Sequence, residues 1–569
     1  MLVSRSSHKI HETEENFFSS FSLCSFIFFV CSLSVPLSVF GWPTTIFSRF
    51  SILIFSARNC SSSVVLTVWY GLAKVAVGSE IAVPVHTSPM SKAKIFIGFS
   101  FVTKSSILTT IPFLLFNHIT WGKRMNVLMF LNRALDLFLG WPLIIYIAVI
   151  SIICTISLSF VQLRYFFKAW TFTLFPEKAK ATKADKKADM TPFQAFVNAL
   201  NSSLGSGTIA GVATAIYMGG PGSAFWLVVT TFFVLAIRYC EVFLSAYFGA
   251  RATSKVTIGG PMLYLKQVVG GKTLAYLYAF FAFLFGLIGG NAIQANTVGV
   301  SLNTTWSVSL YAVAVGMLLF VLYILLGGAA RIVKVADFIV PVKVAVFFIT
   351  TISVIIYHYQ NIIPALKIIF ESAFSSRAVA GAAVGFAIQK AIQYGMDRAI
   401  FATEAGLGTA AILFGSTGSK EPVRSGIMSM LAVVISTLAC FLMSVCIVAS
   451  GAWTSGLDST ALTIASYNTV FGWFGGWIVS FLSVSFAIGV LVTFAYITRE
   501  AWLYLTGGRF VWMHAVLYSG VAVWGALEKV QFVWKMSSFA MAGMLLLNLF
   551  GILYLLPLIK KELRKFKRG

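Results

Sequence analysis

The stretch Asn198–Pro221, NALNSSLGSGTIAGVATAIYMGGP, limits the possible folds more than any other part of the chain. It lies in an apolar region long enough to cross a bilayer. Its middle, Ser202-Ser203-Leu204-Gly205-Ser206-Gly207-Thr208, is nevertheless small, polar and interrupted by glycine. Glycine has no Cβ to restrict the backbone, so a helix can unwind there. Unwound backbone inside a membrane is tolerated only where it is buried in protein or lines a cavity. A broken helix exposes free N–H groups at the start of one half and free C=O groups at the end of the other. These ends favour an anion and a cation respectively. An α-amino acid carries both charges, so the break reads as a solute site near the bilayer midplane. The plainer alternative is a glycine-rich face for close helix packing. Gly-x-Gly and Gly-Gly-Pro interruptions within one span favour the site.

Composition agrees with a membrane setting. The chain has 569 residues, is 58% hydrophobic and only 11% charged, and has a mean hydropathy of +0.88. Those values describe an all-α polytopic membrane protein rather than a string of soluble domains. A net charge of +24 would suggest nucleic acid in a soluble protein. Here the Lys and Arg residues sit mainly in short loops between apolar spans, so the charge reports topology and no nucleic-acid partner is expected. The seven cysteines show no metal spacing, and no organic cofactor is implied. The histidines are scattered, and no HExxH, GxSxG or Walker pattern supports an enzyme or an ATP-driven pump. A channel has no need of two broken helices in inverted halves.

Residues 1–124 form a poorly readable N-terminal extension with short or interrupted apolar runs. Phe17–Phe40 is apolar, but Glu12, Glu14 and Glu15 before it are not the basic lead of a signal peptide. One reading is that translation begins at Met125. From Leu131 the spans become regular. Span 0 covers about Leu131–Phe160, and a charged loop follows at Pro176–Asp189. Span 1, about Phe196–Tyr217, is the broken one. Spans 2 to 5 cover about Ala224–Phe248, Thr273–Leu302, Val308–Leu326 and Phe338–Tyr357. Span 6 lies within Pro364–Tyr394. Spans 7 to 10 cover about Gly426–Ser450, Trp473–Leu505, Phe510–Leu527 and Ser537–Ile559. That makes eleven spans after Met125. Basic residues alternate with them: Arg164, Lys168, Arg251, Lys266, Arg331, Lys334, Lys420, Arg424 and the Lys560–Arg568 cluster share one side. The opposite loops hold only Lys367, Lys529 and Lys535. The basic side, with the C-terminus, is therefore expected to be cytoplasmic, in a cell inner (plasma) membrane.

Span 6 mirrors span 1. Its middle, Ala378–Gly385, is small and glycine-interrupted, lies five spans later and runs the opposite way. Two interrupted spans at matching positions of two halves point to an inverted-repeat transporter. Repeat one would cover about 190–360 and repeat two about 361–560.

Four ordered motifs carry a resemblance. They are Gly205-Ser206-Gly207-Thr208-Ile209-Ala210-Gly211-Val212-Ala213-Thr214-Ala215, Gly259-Gly260-Pro261-Met262-Leu263-Tyr264, Gly290-Asn291-Ala292-Ile293-Gln294-Ala295-Asn296 and Thr403-Glu404-Ala405-Gly406-Leu407-Gly408-Thr409-Ala410. Over nearly all of 125–569 the chain resembles the alanine or glycine:cation symporters, the sodium:alanine symporter family. The resemblance implies a leucine-transporter-type fold of two inverted five-helix repeats plus one extra N-terminal helix. It also implies sodium-driven uptake of small neutral amino acids, alanine or glycine.

On that basis the substrate carboxylate meets N–H groups around Gly205, Ser206 and Gly207. The ammonium meets backbone carbonyls at the break and side-chain oxygen from Asn291 or Gln294, which share one face of span 3. Ala210, with Ala382, Ala383 and Gly385 of span 6, borders the pocket. The departures concern the cation. The family's helix-1 Asn is Thr208 here, and its helix-8 Ser-Thr pair falls on Gly489-Val490. A hard cation needs oxygen ligands, and neither Gly489 nor Val490 has one in its side chain. Sodium, held with help from Thr208 and from Thr493, Ser483 or Ser485, is the leading expectation. A proton-coupled or uncoupled carrier is the alternative, with Glu404 the first candidate to titrate. Arg238 and Glu241 in span 2 are expected to form a structural ion pair.

Overall fold

The computed structural model describes residues 140–175, 189–251, 259–374, 388–527 and 530–568. Readings that fall on 1–139, on most of the charged segment 176–189, or on the glycine-rich middle of span 6 with Ala382, Ala383 and Gly385 lie outside the described residues.

Among the described residues every regular element is a helix. Six helices are long and apolar enough to cross a membrane: Ser223–Gly249, Gly271–Trp306, Gly328–Tyr357, Pro422–Ala449, Phe474–Thr506 and Met536–Lys567. Shorter apolar helices lie at Trp141–Ser157, Gly207–Gly219, Leu310–Leu326 and Val511–Leu527. Large apolar side chains such as Ile145, Ile156, Leu319 and Ile349 remain exposed on these helices. In water that would be unstable, and in lipid it is the expected outer surface.

Span 1 is interrupted in the structure. Its first half, α1 (Pro192–Ser203), starts at a capping box. Thr191 Oγ1 accepts from the Gln194 N–H at 3.2 Å, and Gln194 Oε1 accepts from the Thr191 N–H at 3.0 Å. Pro192 occupies the first turn, where its missing N–H costs nothing. The helix stops at Ser203 and the chain resumes as a wide π-turn over Gly207–Gly211. It then continues as α2 (Val212–Gly219). The Arg398 guanidinium lies where a Cβ on Gly211 would be, so any larger residue there would displace that side chain.

Five more elements frame this break: α3 (Ser223–Gly249), α4 (Gly271–Leu287), α5 (Ile293–Trp306), α6 (Gly328–Tyr357) and α7 (Ile388–Thr403). A second π-turn, Ile288–Ala292, separates α4 from α5. It was not foreseen from the sequence. Single π-turns inside helices reorient the residues that follow them and recur at functional sites. α7, the described second half of span 6, packs on α2 and on the π-turn of span 1. α8 (Phe474–Thr506) packs along α1, and so does α6.

The loop after α7 is held by a buried polar knot. Glu241 Oε2 accepts from the N–H groups of Gly406 and Gly408, both at 3.0 Å, and from Asn548 Nδ2 at 3.1 Å. Glu241 Oε1 pairs with Arg238 Nη1 at 3.0 Å, with both side chains inaccessible, so the expected pair is present. Arg238 also donates to the Thr403 carbonyl, and Tyr278 donates to the Leu407 carbonyl at 2.5 Å. Gly406 and Gly408 adopt φ values of +89° and +80°, which turn their N–H groups toward the carboxylate. Removing one partner of such a knot leaves uncompensated buried charge. Glu241→Ala should therefore cost about 3–5 kcal/mol, read as a clear fall in the thermal unfolding midpoint of the detergent-purified protein. Lys565→Ala, which breaks an exposed pair with Glu562, should leave the midpoint nearly unchanged.

Candidate functional site

The break in span 1 opens onto a small cavity of about 20 Å³. That is room for about one water molecule and lies below the usual range of ligand sites, about 300–1,000 Å³. Four segments line it. Ser202, Ser203, Gly205 and Gly207 come from the break, and Phe285, Gly289 and Gln294 from the interrupted span 3. Phe401, Ala402 and Glu404 come from the end of α7 and the loop after it, and Val490 and Phe494 from α8. The walls are largely apolar, with a few polar groups and one carboxylate, as a site for a small zwitterion requires.

The sequence-derived candidates separate into groups. Gly205, Gly207 and Gln294 meet in this cavity. The Ser206 N–H points at Gln294 Oε1, at the long distance of 3.5 Å. Gln294 Nε2 donates to the Gly289 carbonyl at 3.2 Å, which the π-turn presents to it. Asn291 goes elsewhere: its Nδ2 donates to the Tyr518 carbonyl at 2.6 Å, tying span 3 to α9 (Val511–Leu527). Ala210 is half-buried in the π-turn and is not on the cavity wall. Thr208 is fully buried beside the Cys440 thiol. Thr493 Oγ1 accepts from Asn201 Nδ2 at 2.9 Å and donates to Asn198 Oδ1 at 3.4 Å. Ser485 donates to the Leu482 carbonyl of its own helix at 2.9 Å.

Glu404, which the sequence offered only as a candidate to titrate, reaches the cavity wall while its Oε2 accepts from Thr409 at 2.6 Å. The structure also adds residues that sequence reasoning passed over. Phe285, Phe401 and Phe494 close the cavity, and nothing in their local sequence marks them. Lys343 is the most consequential omission. It is completely buried in α6, and its Nζ donates to the carbonyls of Asn201 at 3.2 Å and Leu204 at 3.0 Å. A lysine in the middle of the apolar span Phe338–Tyr357 is a signal that the sequence does contain.

The comparisons with known proteins follow from this geometry. Residues 125–569 match the sodium:alanine symporter family. The chain belongs to that family. It is 30% identical over 439 residues to an uncharacterized transporter of Haemophilus influenzae, a match covering 76% of this chain and 95% of that one. It is 29% identical over 425 residues to the sodium/alanine symporter AgcS of Methanococcus maripaludis, covering 73% and 92%. The amino-acid carrier protein AlsT of Bacillus subtilis is 28% identical over 418 residues, covering 72% and 86%. Membership of the sodium:alanine symporter family makes the chain a multi-pass membrane transporter and not an enzyme.

Close packing explains why this family member needs glycine at the break. A Cβ on Gly205 would come within 2.6 Å of Val490 Cγ2. Overpacking of this kind costs about 1–3 kcal/mol or displaces backbone. Gly205→Ala should lower uptake of labelled alanine in proteoliposomes at least about ten-fold, with normal amounts of protein in the membrane. Adding Val490→Ala, which removes the offending methyl, should restore much of that loss. Full activity of Gly205→Ala alone would remove this contact from the account of the site.

Proposed function

We propose that this protein is a secondary active transporter that imports small neutral amino acids, alanine or glycine, by cation symport. The observation that carries the reading is the internal cavity formed where span 1 loses its helix. N–H groups at Ser206 and Gly207 there stand near the Gln294 amide and the Glu404 carboxylate. The substrate carboxylate sits against the N–H end of the break and its ammonium against Gln294 Oε1 and Glu404. The phenyl groups and Val490 crowd the site, which favours a small side chain on the substrate. Asn291 holds span 3 against α9 and acts on the substrate only through that placement.

The architecture that goes with this reading is two inverted five-helix repeats after an extra N-terminal helix, eleven spans in all. α2 and α7 packed together are its support from the described residues. Transport then proceeds by alternating access around the break. The basic C-terminal end places that terminus in the cytoplasm, with the protein in the inner (plasma) membrane.

The names of the relatives favour sodium as the coupling ion, with Thr208 and Thr493 as ligands. The second reading, a proton-coupled or uncoupled carrier, is favoured by one specific observation: a lysine ammonium already fills the carbonyl end of the break.

Uptake of labelled alanine and glycine into proteoliposomes, together with counterflow against preloaded unlabelled amino acid, tests the function. Saturable uptake and exchange are expected. A lack of exchange for every small neutral amino acid would sink the carrier reading. Gln294→Ala should raise the KM for alanine at least about ten-fold with kcat less affected. Asn291→Ala should lower thermal stability with a smaller change in KM.

A further inference from the structure

We propose that the ammonium of Lys343 is a tethered cation occupying the place of a coupling ion at the break in span 1, so that transport needs no sodium there. The inference rests on the carrier reading above and names the ion chemistry of the same site.

The last carbonyls of a helix carry partial negative charge and have no partner within the helix. At the end of α1 two of them, from Asn201 and Leu204, converge on Lys343 Nζ at 3.2 and 3.0 Å. Backbone carbonyls of this kind are the ligands a hard cation would take. The third side of the position is α8. Its Gly489 carbonyl is already committed to Asn201 Nδ2 at 2.7 Å, and Gly489 offers no side-chain oxygen. A Cβ at Gly489 would press on Asn201 Oδ1 and lie 2.5 Å from Lys343 Nζ, so a larger residue there would displace both side-chain ends. The bare Gly489 and the buried amine at 343 therefore fit together.

Thr493 Oγ1 on α8 is engaged with Asn201 and Asn198, whereas Ser483 Oγ on the same helix is buried with no hydrogen-bond partner among the described residues. The Phe486 ring lies 5.1 Å below Nζ, within cation–π reach. Among the described residues no carboxylate lies within ion-pair distance of Lys343. The Lys343 amine takes the two carbonyls that a free cation would need at this position.

The test compares wild-type protein, Lys343→Met and the double variant Lys343→Ala with Gly489→Ser. Alanine uptake is measured in proteoliposomes with external sodium or with N-methyl-D-glucamine at equal ionic strength. Binding of radiolabelled sodium is measured on the same detergent-purified full chains. Wild-type uptake should change less than about two-fold when sodium is withdrawn, and Lys343→Met should lose at least about ten-fold in either medium. Wild type should show no saturable sodium binding, whereas the double variant, with carbonyls freed and a hydroxyl supplied, should gain it. Uptake by wild type that falls at least about ten-fold without sodium, or saturable sodium binding to wild type, overturns the proposal. If no amino acid is taken up under any gradient, the carrier reading fails, and the sodium-binding measurement still decides the role of Lys343.

Discussion

The structure depends on how the carbonyl end of α1 is satisfied. A helix that stops inside an apolar slab leaves oxygens that neither water nor lipid can serve, and leaving a buried polar group unpaired is costly. Lys343 reaches them from α6, while Asn201 turns its own amide to Gly489 and Thr493 on α8. α1, α6 and α8 are thus pinned together at the point where span 1 loses its helix. Val490 and Phe494 of α8 fill the space that Gly205 and Gly290 leave open and line the cavity beside the break.

The loop after α7 solves the same problem with opposite charge. There N–H groups, not carbonyls, are left over, and a carboxylate receives them: Glu241 accepts from Gly406 and Gly408, with Arg238 and Asn548 completing its shell. One broken region is closed by a buried cation and the other by a buried anion. Each charge suits the sign of the peptide ends it meets. The Glu404 side chain lies between the two, on the cavity wall and bonded to Thr409. The polar groups of the site therefore rest on scaffolds whose own hydrogen bonds are largely committed, which keeps them in place as substrate enters.

Much of the site was legible in advance because it is written in backbone chemistry. Gly205 and Gly207 mark where a helix cannot persist, and the run of four motifs marks the family. Gln294 was legible as an amide on a buried face. Asn291, three residues away on that face, reads the same in sequence. The π-turn at Ile288–Ala292 and the position of α9 decide that it faces the Tyr518 carbonyl and not the cavity. Phe285, Phe401 and Phe494 were illegible because an aromatic residue in an apolar span looks alike whether it faces lipid, core or cavity.

Taken alone, the sequence determined that the chain crosses a membrane and that span 1 is interrupted, since both follow from composition and local backbone freedom. That the family's helix-8 hydroxyl pair falls on Gly489-Val490 is what the resemblance implied. What replaces that pair was a tertiary matter. Lys343 is 142 positions from Asn201 along the chain, and no local rule links a lysine in one span to a missing side chain in another. Only the packing of α6 and α8 around α1 brings the ammonium, the loose carbonyls and Gly489 to one point, because these residues lie far apart along the chain.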